Sequence, residues 1–170
     1  MKKLILILIF ITVLNNVFSQ ENNVVIWKYA DEISFTADIP QGWTAVENLN
    51  PAKGALYFFW LNESIITRPI IFITVYWLSD STDEALCEII NRNINSGQYT
   101  YEKIDNLNEI ERNVIFYNTN YQNYSFSRCA YIRHDRYGFQ IDLSTLYEKP
   151  EVNLINTLNE LINSIVFINK

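Results

Sequence analysis

The chain has 170 residues, of which 49% are hydrophobic and 15% aromatic, with only four glycines and four prolines. This composition excludes a disordered or low-complexity chain, and the length suits one folded domain. The formal net charge is -6 at pH 7 and the basic residues are dispersed. We therefore expect neither nucleic acid nor an anionic lipid surface as a partner.

The first nineteen residues have the layout of a secretory signal peptide. Lys2 and Lys3 form a positive start, residues 4–14 are an apolar run, and residues 17–19 form an exit that ends at Ser19. A membrane-spanning helix is the alternative, but it needs roughly 20 apolar residues. No cysteine near Ser19 offers a site for lipid attachment. We expect cleavage after Ser19 and a soluble, exported single domain over residues 20–170, either periplasmic or extracellular.

The first half of this domain reads as strands. Residues 33–39 alternate apolar and polar side chains, which predicts a half-buried strand, and residues 40–43 predict a turn. The runs 55–61 and 70–78 are apolar at odd and even positions alike. That pattern is typical of strands whose two faces are both covered. It predicts a central sheet shielded from water on both sides.

Two helices are predicted from apolar residues at helical spacing. The first begins at Ser81, with Glu84 three residues later in a capping-box spacing, and ends at residues 96–97. The second begins at residues 149–151, with Pro150 in its first turn, and a short closing strand follows over 164–168.

Between the helices the sequence predicts four strands, over residues 99–104, 109–117, 124–134 and 139–144. The last two form a hairpin that places His134 opposite Phe139. In that register one face of the hairpin is apolar, and the side chains of a second set lie together on the opposite face. This second set is Cys129, Tyr131, Arg133, Gln140 and Asp142.

The order of these elements predicts an α+β fold, with a central antiparallel sheet and helices on both faces in a three-layer α/β/α sandwich. Residues 35–43, Phe-Thr-Ala-Asp-Ile-Pro-Gln-Gly-Trp, also resemble the opening strand and Ile-Pro-x-Gly-Trp turn of the PsbP/Mog1/DcrB-like superfamily. The later elements agree with that likeness over nearly all of the domain. The resemblance implies the same sandwich fold.

Members of that superfamily are similar in shape and diverse in role. They include photosystem accessory subunits, a release factor of a small GTPase, and exported or adaptor proteins of bacteria, and most act by binding. The resemblance therefore implies an exported accessory protein. It brings no functional residue to this chain, because no site motif of the family matches here.

The two cysteines, Cys87 and Cys129, leave two alternatives open. An even number of cysteines in an exported chain favours a disulfide between them. The alternative is a pair of buried free thiols that pack as small hydrophobic side chains.

Two residues are candidates for chemistry or binding. His134, the only histidine, precedes Asp135, so the pair could be a base with its orienting carboxylate or simply the end of a strand and a turn. Arg128 lies in an otherwise apolar row of its strand. It either grips a ligand carboxylate through two parallel hydrogen bonds or carries its charge to the surface.

Tyrosines are concentrated between residues 99 and 131, and asparagines lie among them. Tyrosine and asparagine are frequent in recognition surfaces. A loop over residues 118–124 with Tyr121 and Tyr124 is therefore a candidate binding surface, and an ordinary hairpin loop is the alternative.

These observations favour a non-enzymatic exported binding or accessory protein, with another protein or a small ligand as its partner. We expect no cofactor, no metal and no catalytic residue. One alternative is a small hydrolase or metal-dependent enzyme that uses His134 and Arg128 together in one pocket. Another is an immunity-type module that captures a basic partner through its acidic surface.

Overall fold

The computed structural model describes residues 24–29, 33–47, 55–61, 69–104, 114–122, 125–146 and 148–168, with the backbone alone in 24–29 and 55–61. The predicted signal peptide lies outside these residues. The described strands are β1 (Val24–Tyr29), β2 (Ile33–Asp38), β3 (Trp43–Glu47), β4 (Ala55–Leu61), β5 (Ile70–Trp77), β6 (Thr100–Ile104), β7 (Ile115–Tyr121), β8 (Ser125–His134), β9 (Tyr137–Leu146) and β10 (Val166–Ile168). The helices are α1 (Asp83–Asn95) and α2 (Val152–Ser164).

The strands form two antiparallel sheets. The larger sheet has the order β3-β4-β5-β9-β8-β7-β6, and the smaller sheet has the order β1-β2-β10. Neighbouring strands run antiparallel throughout both sheets. The prediction of an α+β fold built on an antiparallel sheet is therefore confirmed.

One face of the larger sheet carries the main core. Ala130, Ile132 and Ile141 of β8 and β9 pack in one cluster with Leu158 and Leu161 of α2. The strand β2 joins the same cluster through Ile33, Phe35 and Ala37. The smaller sheet and α2 thus cover this face together. The apolar stripe of α2 and the half-buried strand β2 were predicted, whereas a separate smaller sheet was not.

The other face carries a second cluster beneath α1. Leu86 and Ile90 of the helix pack with Cys129 and Tyr131 of β8. Because successive residues of a strand point to opposite faces, this cluster and the main core lie on opposite sides of β8. The region beyond the C-terminal turns of α1 is lined by polar groups and forms a cavity that is described below.

Burial on the two faces of β5 differs from the prediction. Ile71 and Ile73 are completely buried, whereas Ile70 and Phe72 are half-buried and Trp77 is 53% exposed. The prediction that both faces of this strand are covered therefore holds fully at Ile71 and Ile73 and only in part on the opposite face, which α1 covers incompletely. The side chains of the other apolar run, residues 55–61, lie outside the described residues.

The hairpin of β8 and β9 turns more tightly than predicted. His134 pairs with Tyr137, and Phe139 pairs with Ile132, so the predicted register is wrong by two residues. The turn needs only Asp135 and Arg136, and Asp135 adopts a φ of 50°, which aspartate tolerates better than most residues. A shift of two residues leaves every side chain on its predicted face.

Both helices begin one residue or more after the predicted start. The N-cap of α1 is Thr82, whose hydroxyl accepts a hydrogen bond from the Ala85 amide at 3.2 Å and donates one to Asp80. The predicted capping box of Ser81 and Glu84 is therefore wrong, because Asp80 holds the threonine in the capping position. Pro150 precedes α2, since its N-cap is the extended residue Glu151.

Candidate functional site

A cleft at Arg128 lies between the start of α2 and the outer strands of the larger sheet. Its volume is about 370 Å³, within the usual range for small-ligand pockets. Both the strands and the approach to α2 contribute polar and apolar groups. The lining residues used below are Glu102, Asn118, Phe126, Arg128, Lys149, Pro150 and Ile155.

The position of Arg128 in the strand explains why it faces this cleft. It pairs with Asn118 of β7, which in turn pairs with Glu102 of β6, so the three side chains form one row across the sheet. The row is on the same face as Ala130 and Ile132, but beyond the apolar cluster that α2 covers. Arg128, which interrupts an apolar row in the sequence, thus lies at the boundary between the apolar core and the cleft.

The guanidinium of Arg128 is only partly satisfied. Its Nε is buried and has no hydrogen-bond partner in the described part of the chain. Burial lowers the pKa of Arg128 from its ordinary value, while the nearby Cys129 and Glu102 oppose that shift. A buried donor without a partner is costly, and a ligand oxygen in the cleft would satisfy it.

A second cavity, of about 320 Å³, lies on the opposite face at the C-terminal end of α1. Aromatic side chains contribute to its wall, and Cys129 and Asp142 lie at its floor. The described lining residues are Phe72, Tyr76, Asn93, Ser96, Gln98, Tyr99, Tyr101, Thr119, Ser125, Ser127, Cys129, Gln140, Asp142 and Ser144. Asp142 is the only acidic residue in this described lining, which contains no lysine, arginine or histidine.

Hydrogen bonds connect these side chains around Gln140. The Tyr76 hydroxyl donates to Gln140 Oε1 at 2.7 Å, and the Asn93 amide donates to the same oxygen at 3.1 Å. The Gln140 amide donates to Asp142 Oδ2 at 2.8 Å. The Asn93 amide also donates to the Tyr131 hydroxyl at 3.4 Å. The network fixes Gln140, and Gln140 in turn fixes Asp142.

Asp142 is the electrostatic centre of this cavity. It is 2% exposed, and its Oδ1 has no hydrogen-bond partner among the described residues. Burial raises the pKa of Asp142 to about 7, although the nearby Cys129 thiol and the hydrogen bond from Gln140 oppose the shift. Burial together with the neighbouring Asp142 also raises the pKa of the Cys129 thiol well above its ordinary value. Asp142 therefore changes its charge near neutral pH, while Cys129 stays protonated.

Tyrosine side chains form a continuous row beside this cavity. Ring centroids are 5.3 Å apart for Tyr121 and Tyr99, 6.3 Å for Tyr99 and Tyr101, and 6.0 Å for Tyr101 and Tyr117. Tyr117 continues the row to Tyr131 at 6.1 Å. Such tilted and edge-to-face contacts are favourable for aromatic rings.

The predicted loop over residues 118–124 is largely strand. Residues 118–121 belong to β7, and Gln122 turns the chain with a φ of 49°. Tyr121 is half-buried in the tyrosine row, so the prediction of a loop is wrong at this residue. Tyr124 lies outside the described residues.

His134 and Arg128 line different pockets. His134 ends β8 and stacks on Phe167 with ring centroids 4.1 Å apart and planes 7° apart. Its Nε2 lies 3.7 Å from Asp135 Oδ2, so the sequence pair is in contact. Arg128 lies six residues away in the same strand and faces the first cleft. The geometry does not provide the shared pocket that the predicted enzyme site requires.

The structure does not join Cys87 to Cys129. Both thiols are free, with Cys87 exposed and Cys129 buried. The four buried positions of α1 are Ala85, Leu86, Ile89 and Ile90, and Cys87 falls on the opposite side of the helix, away from Cys129. The disulfide is therefore not formed in this structure, and the alternative of buried thiols holds for Cys129 alone.

Two kinds of feature are absent from the described residues. No group of three or more histidine, cysteine, aspartate or glutamate side chains in these residues is arranged to hold a metal ion. No described helix has the length and apolar character needed to cross a membrane.

Sequence reasoning placed Asp142 on the right face but did not identify it as a site residue. The predicted register already placed Asp142 opposite the large aromatic residue Tyr131, on the same face. In the structure Asp142 pairs with Cys129, next to Tyr131. What the sequence did not reveal is that α1 leaves part of this face uncovered, so that a polar cavity lies over Asp142.

No protein-family model matches the sequence, and no curated protein matches it. Among solved structures, the fold is similar to the solution structure of cyanobacterial PsbP (CyanoP) from Synechocystis sp. PCC 6803, with a TM-score of 0.51 and 15% identity over 85% of this chain and 92% of that chain. A crystal structure from Bacteroides thetaiotaomicron VPI-5482 matches with a TM-score of 0.43 and 11% identity over 78% of this chain and 44% of that chain, which is too weak to carry an argument. The likeness to CyanoP concerns the fold alone, and it confirms the predicted PsbP-like fold of this protein.

Proposed function

We propose that this protein is an exported, non-enzymatic binding or accessory protein that holds a carboxylate-bearing ligand in the cleft at Arg128. The observation that carries the proposal is the buried Nε of Arg128, which lacks a partner among the described residues in a cleft of about 370 Å³. A PsbP-like scaffold is compatible with such a role.

The charges of the cleft favour a single carboxylate. The described lining contains two cations, Arg128 and Lys149, and one anion, Glu102, so its formal charge is +2 − 1 = +1. A guanidinium binds a carboxylate through two parallel hydrogen bonds. The single net positive charge suits a monoanion better than a doubly charged phosphate.

The rest of the cleft favours an apolar group behind that carboxylate. Phe126, Pro150 and Ile155 supply apolar surface next to the charged groups. Ligand pockets commonly combine apolar walls with a few polar groups that fix orientation. We infer a ligand with a carboxylate at one end and a short hydrocarbon group at the other.

Binding of hexanoate to the purified protein tests this proposal. Hexanamide is the neutral analogue of the same shape, and titrations are followed by calorimetry. We expect hexanoate to bind with a stoichiometry of one and at least tenfold more tightly than hexanamide, because a hydrogen bond to a charged group contributes about 1.5–3 kcal/mol.

Variants then assign the binding to Arg128. Arg128→Met should weaken hexanoate binding about tenfold or more, and Arg128→Lys should restore only part of it because lysine lacks the planar fork. Arg92→Gln, at an exposed position of α1, removes the same charge away from the cleft and is the matched control. Equal binding by Arg128→Met and Arg92→Gln, or tighter binding of inorganic phosphate than of hexanoate, would refute the proposal.

The exported location and the layer arrangement are part of the same proposal. The signal-peptide layout of residues 1–19 supports export, with a mature chain that begins at Gln20. Intact mass of the protein recovered from the envelope or the medium tests this, and a mass that retains residues 1–19 would contradict it. The packing of α1 and α2 against opposite sides of β8 supports a three-layer body in which the larger sheet is the middle layer.

A further inference from the structure

We propose that the cavity at Asp142 is a second binding site, which accepts the ammonium group of an organic amine with Asp142 as its counter-ion. The observations that lead to it are a buried carboxylate oxygen without a described partner and a roomy cavity above it. Asp142 and Arg128 lie on opposite faces of the hairpin, although Tyr101, Thr119 and Ser127 line both cavities.

The composition of the lining selects a cation over an anion. Asp142 is the one charged side chain in the described lining, and the remaining polar groups there are neutral hydroxyls, amides and a thiol. An anionic ligand would meet a carboxylate with no described cation to offset it. An ammonium brings three N–H donors and a charge that Asp142 complements.

The aromatic part of the wall also favours an organic cation. Tyr76, Tyr99 and Tyr101 line the cavity together with Phe72. Aromatic faces attract ammonium groups through their quadrupoles, and this attraction grows when the site excludes water. The same rings would cover the hydrocarbon part of the amine. The cavity thus combines an acidic floor with an aromatic wall.

The hydrogen-bond network fixes the orientation of the Asp142 carboxylate before a ligand binds. Its Oδ2 already accepts from Gln140, which Tyr76 and Asn93 hold in place. Oδ1 is left for a donor from outside the network. Asp142 is 2% exposed, so the ammonium has to reach the cavity floor.

The other titratable groups around Asp142 keep their charge state near neutral pH. Burial raises the pKa of Tyr76 of β5, and it raises the pKa of Tyr101 of β6 to about 12. On β8, the pKa of Tyr131 and that of Cys129 are both raised, mainly by burial. Tyr99 adds a phenol from the approach to β6, α1 contributes the neutral Asn93, and Arg128 acts on Cys129 from the opposite face. Among the described side chains that line this cavity, Asp142 is therefore the group whose charge changes between pH 5.5 and 8.

The test uses 2-phenylethylammonium and its neutral analogue 2-phenylethanol. At pH 8 we expect the ammonium to bind with a stoichiometry of one and to shift the side-chain amide resonances of Gln140 and Asn93, and the alcohol to bind at least tenfold more weakly. Lowering the pH from 8 to 5.5 should weaken binding of the ammonium about 30-fold, because Asp142 becomes protonated. This pH profile needs no variant and decides the proposal even if variants fold poorly.

Asp142→Asn should abolish the preference for the ammonium, whereas Glu88→Gln, at an exposed position of α1, should keep it. Arg128→Met should also keep it, so a failure of this site and a failure of the hexanoate site are separately visible. Equal binding of the amine and the alcohol would overturn the proposal. An affinity for the ammonium that does not change with pH would also overturn it. So would displacement of the ammonium by methyl glucoside, an uncharged ligand, observed at the amide resonances of Gln140 and Asn93.

Discussion

Replacing Asp142 with asparagine provides a direct test of the electrostatics of the larger sheet. Burial raises the pKa of this carboxyl from 3.8 to about 7 in the folded protein. The folded state then binds the proton more tightly than the unfolded state does, so stability is full below pH 3.8 and falls as the pH rises through 7. The difference between the two pKa values corresponds to about 4 kcal/mol.

The asparagine variant has the same shape and no charge. It can still accept the hydrogen bond from Gln140 that now reaches Asp142 Oδ2. We therefore expect the free energy of unfolding of the wild type, measured relative to Asp142→Asn, to fall by about 4 kcal/mol between pH 4 and pH 8.5. Taking the difference between the two proteins removes the contributions of the other titrating groups.

Urea unfolding followed by tryptophan fluorescence at several pH values measures this difference. Glu88→Gln removes one carboxylate from an exposed position of α1, and its curve should stay close to that of the wild type. If the difference between the wild type and Asp142→Asn is the same at pH 4 and pH 8.5, the carboxyl is not desolvated. The argument for a charged floor in the second cavity would then fail as well.

Three further predictions concern the stability of the fold, each measured by urea unfolding. Thr82→Ala should cost about 1 kcal/mol and Ser81→Ala close to nothing, because Thr82 is the residue whose hydroxyl caps α1; the reverse order would restore the capping box predicted from the sequence. Leu158→Ala should cost about 3 kcal/mol, since this side chain is completely buried between α2 and the sheet, and a loss below about 1 kcal/mol would contradict that packing. Arg133 Nε donates to Asp83 Oδ1 at 2.6 Å with both side chains partly exposed, so a double-mutant cycle should give a coupling of about 0.5 kcal/mol that salt reduces; a coupling that salt does not change would argue against a solvent-screened pair.

The elements were predictable where one local signal sufficed. The alternation over residues 33–39 gave β2, and the helical spacing after residue 81 gave α1 to within two residues of its start. The resemblance of residues 35–43 to a known strand and turn gave the fold, which the likeness to CyanoP confirms. Each of these signals depends on neighbours in the chain, so a single sequence carries it.

Two errors occurred where neighbouring residues allow more than one local structure. The capping residue of α1 is decided by Asp80, which bonds both the amide and the hydroxyl of Thr82. The register of the hairpin is decided by how tightly Asp135 and Arg136 turn. In both cases the sequence pattern allows two local structures, and side chains one or two residues away distinguish them.

The two candidate sites show the same distinction. Arg128 was identifiable from the sequence because a cation in an apolar row is a local anomaly. Asp142 was not, because the sequence placed it with Arg133 and Gln140 on the face opposite the apolar one, where a polar residue is expected. Its burial depends on α1 and on the aromatic side chains of β5 and β6. A local sequence pattern thus identifies a charged residue in an otherwise apolar row, but it does not identify a cavity formed by several elements.

Arg128 and Asp142 also raise the question of why the larger sheet retains two polar side chains whose hydrogen-bonding capacity is not fully satisfied. Each leaves one buried atom without a partner in the described structure, and each such atom costs roughly 1–3 kcal/mol. An apolar residue at either position would avoid that cost, so stability alone does not account for them. The two proposed ligands would satisfy these atoms from outside the chain. If that is the reason, Asp142→Asn should stabilise the protein at pH 8 and Arg128→Met should stabilise it as well, while each variant loses the ligand of its own site.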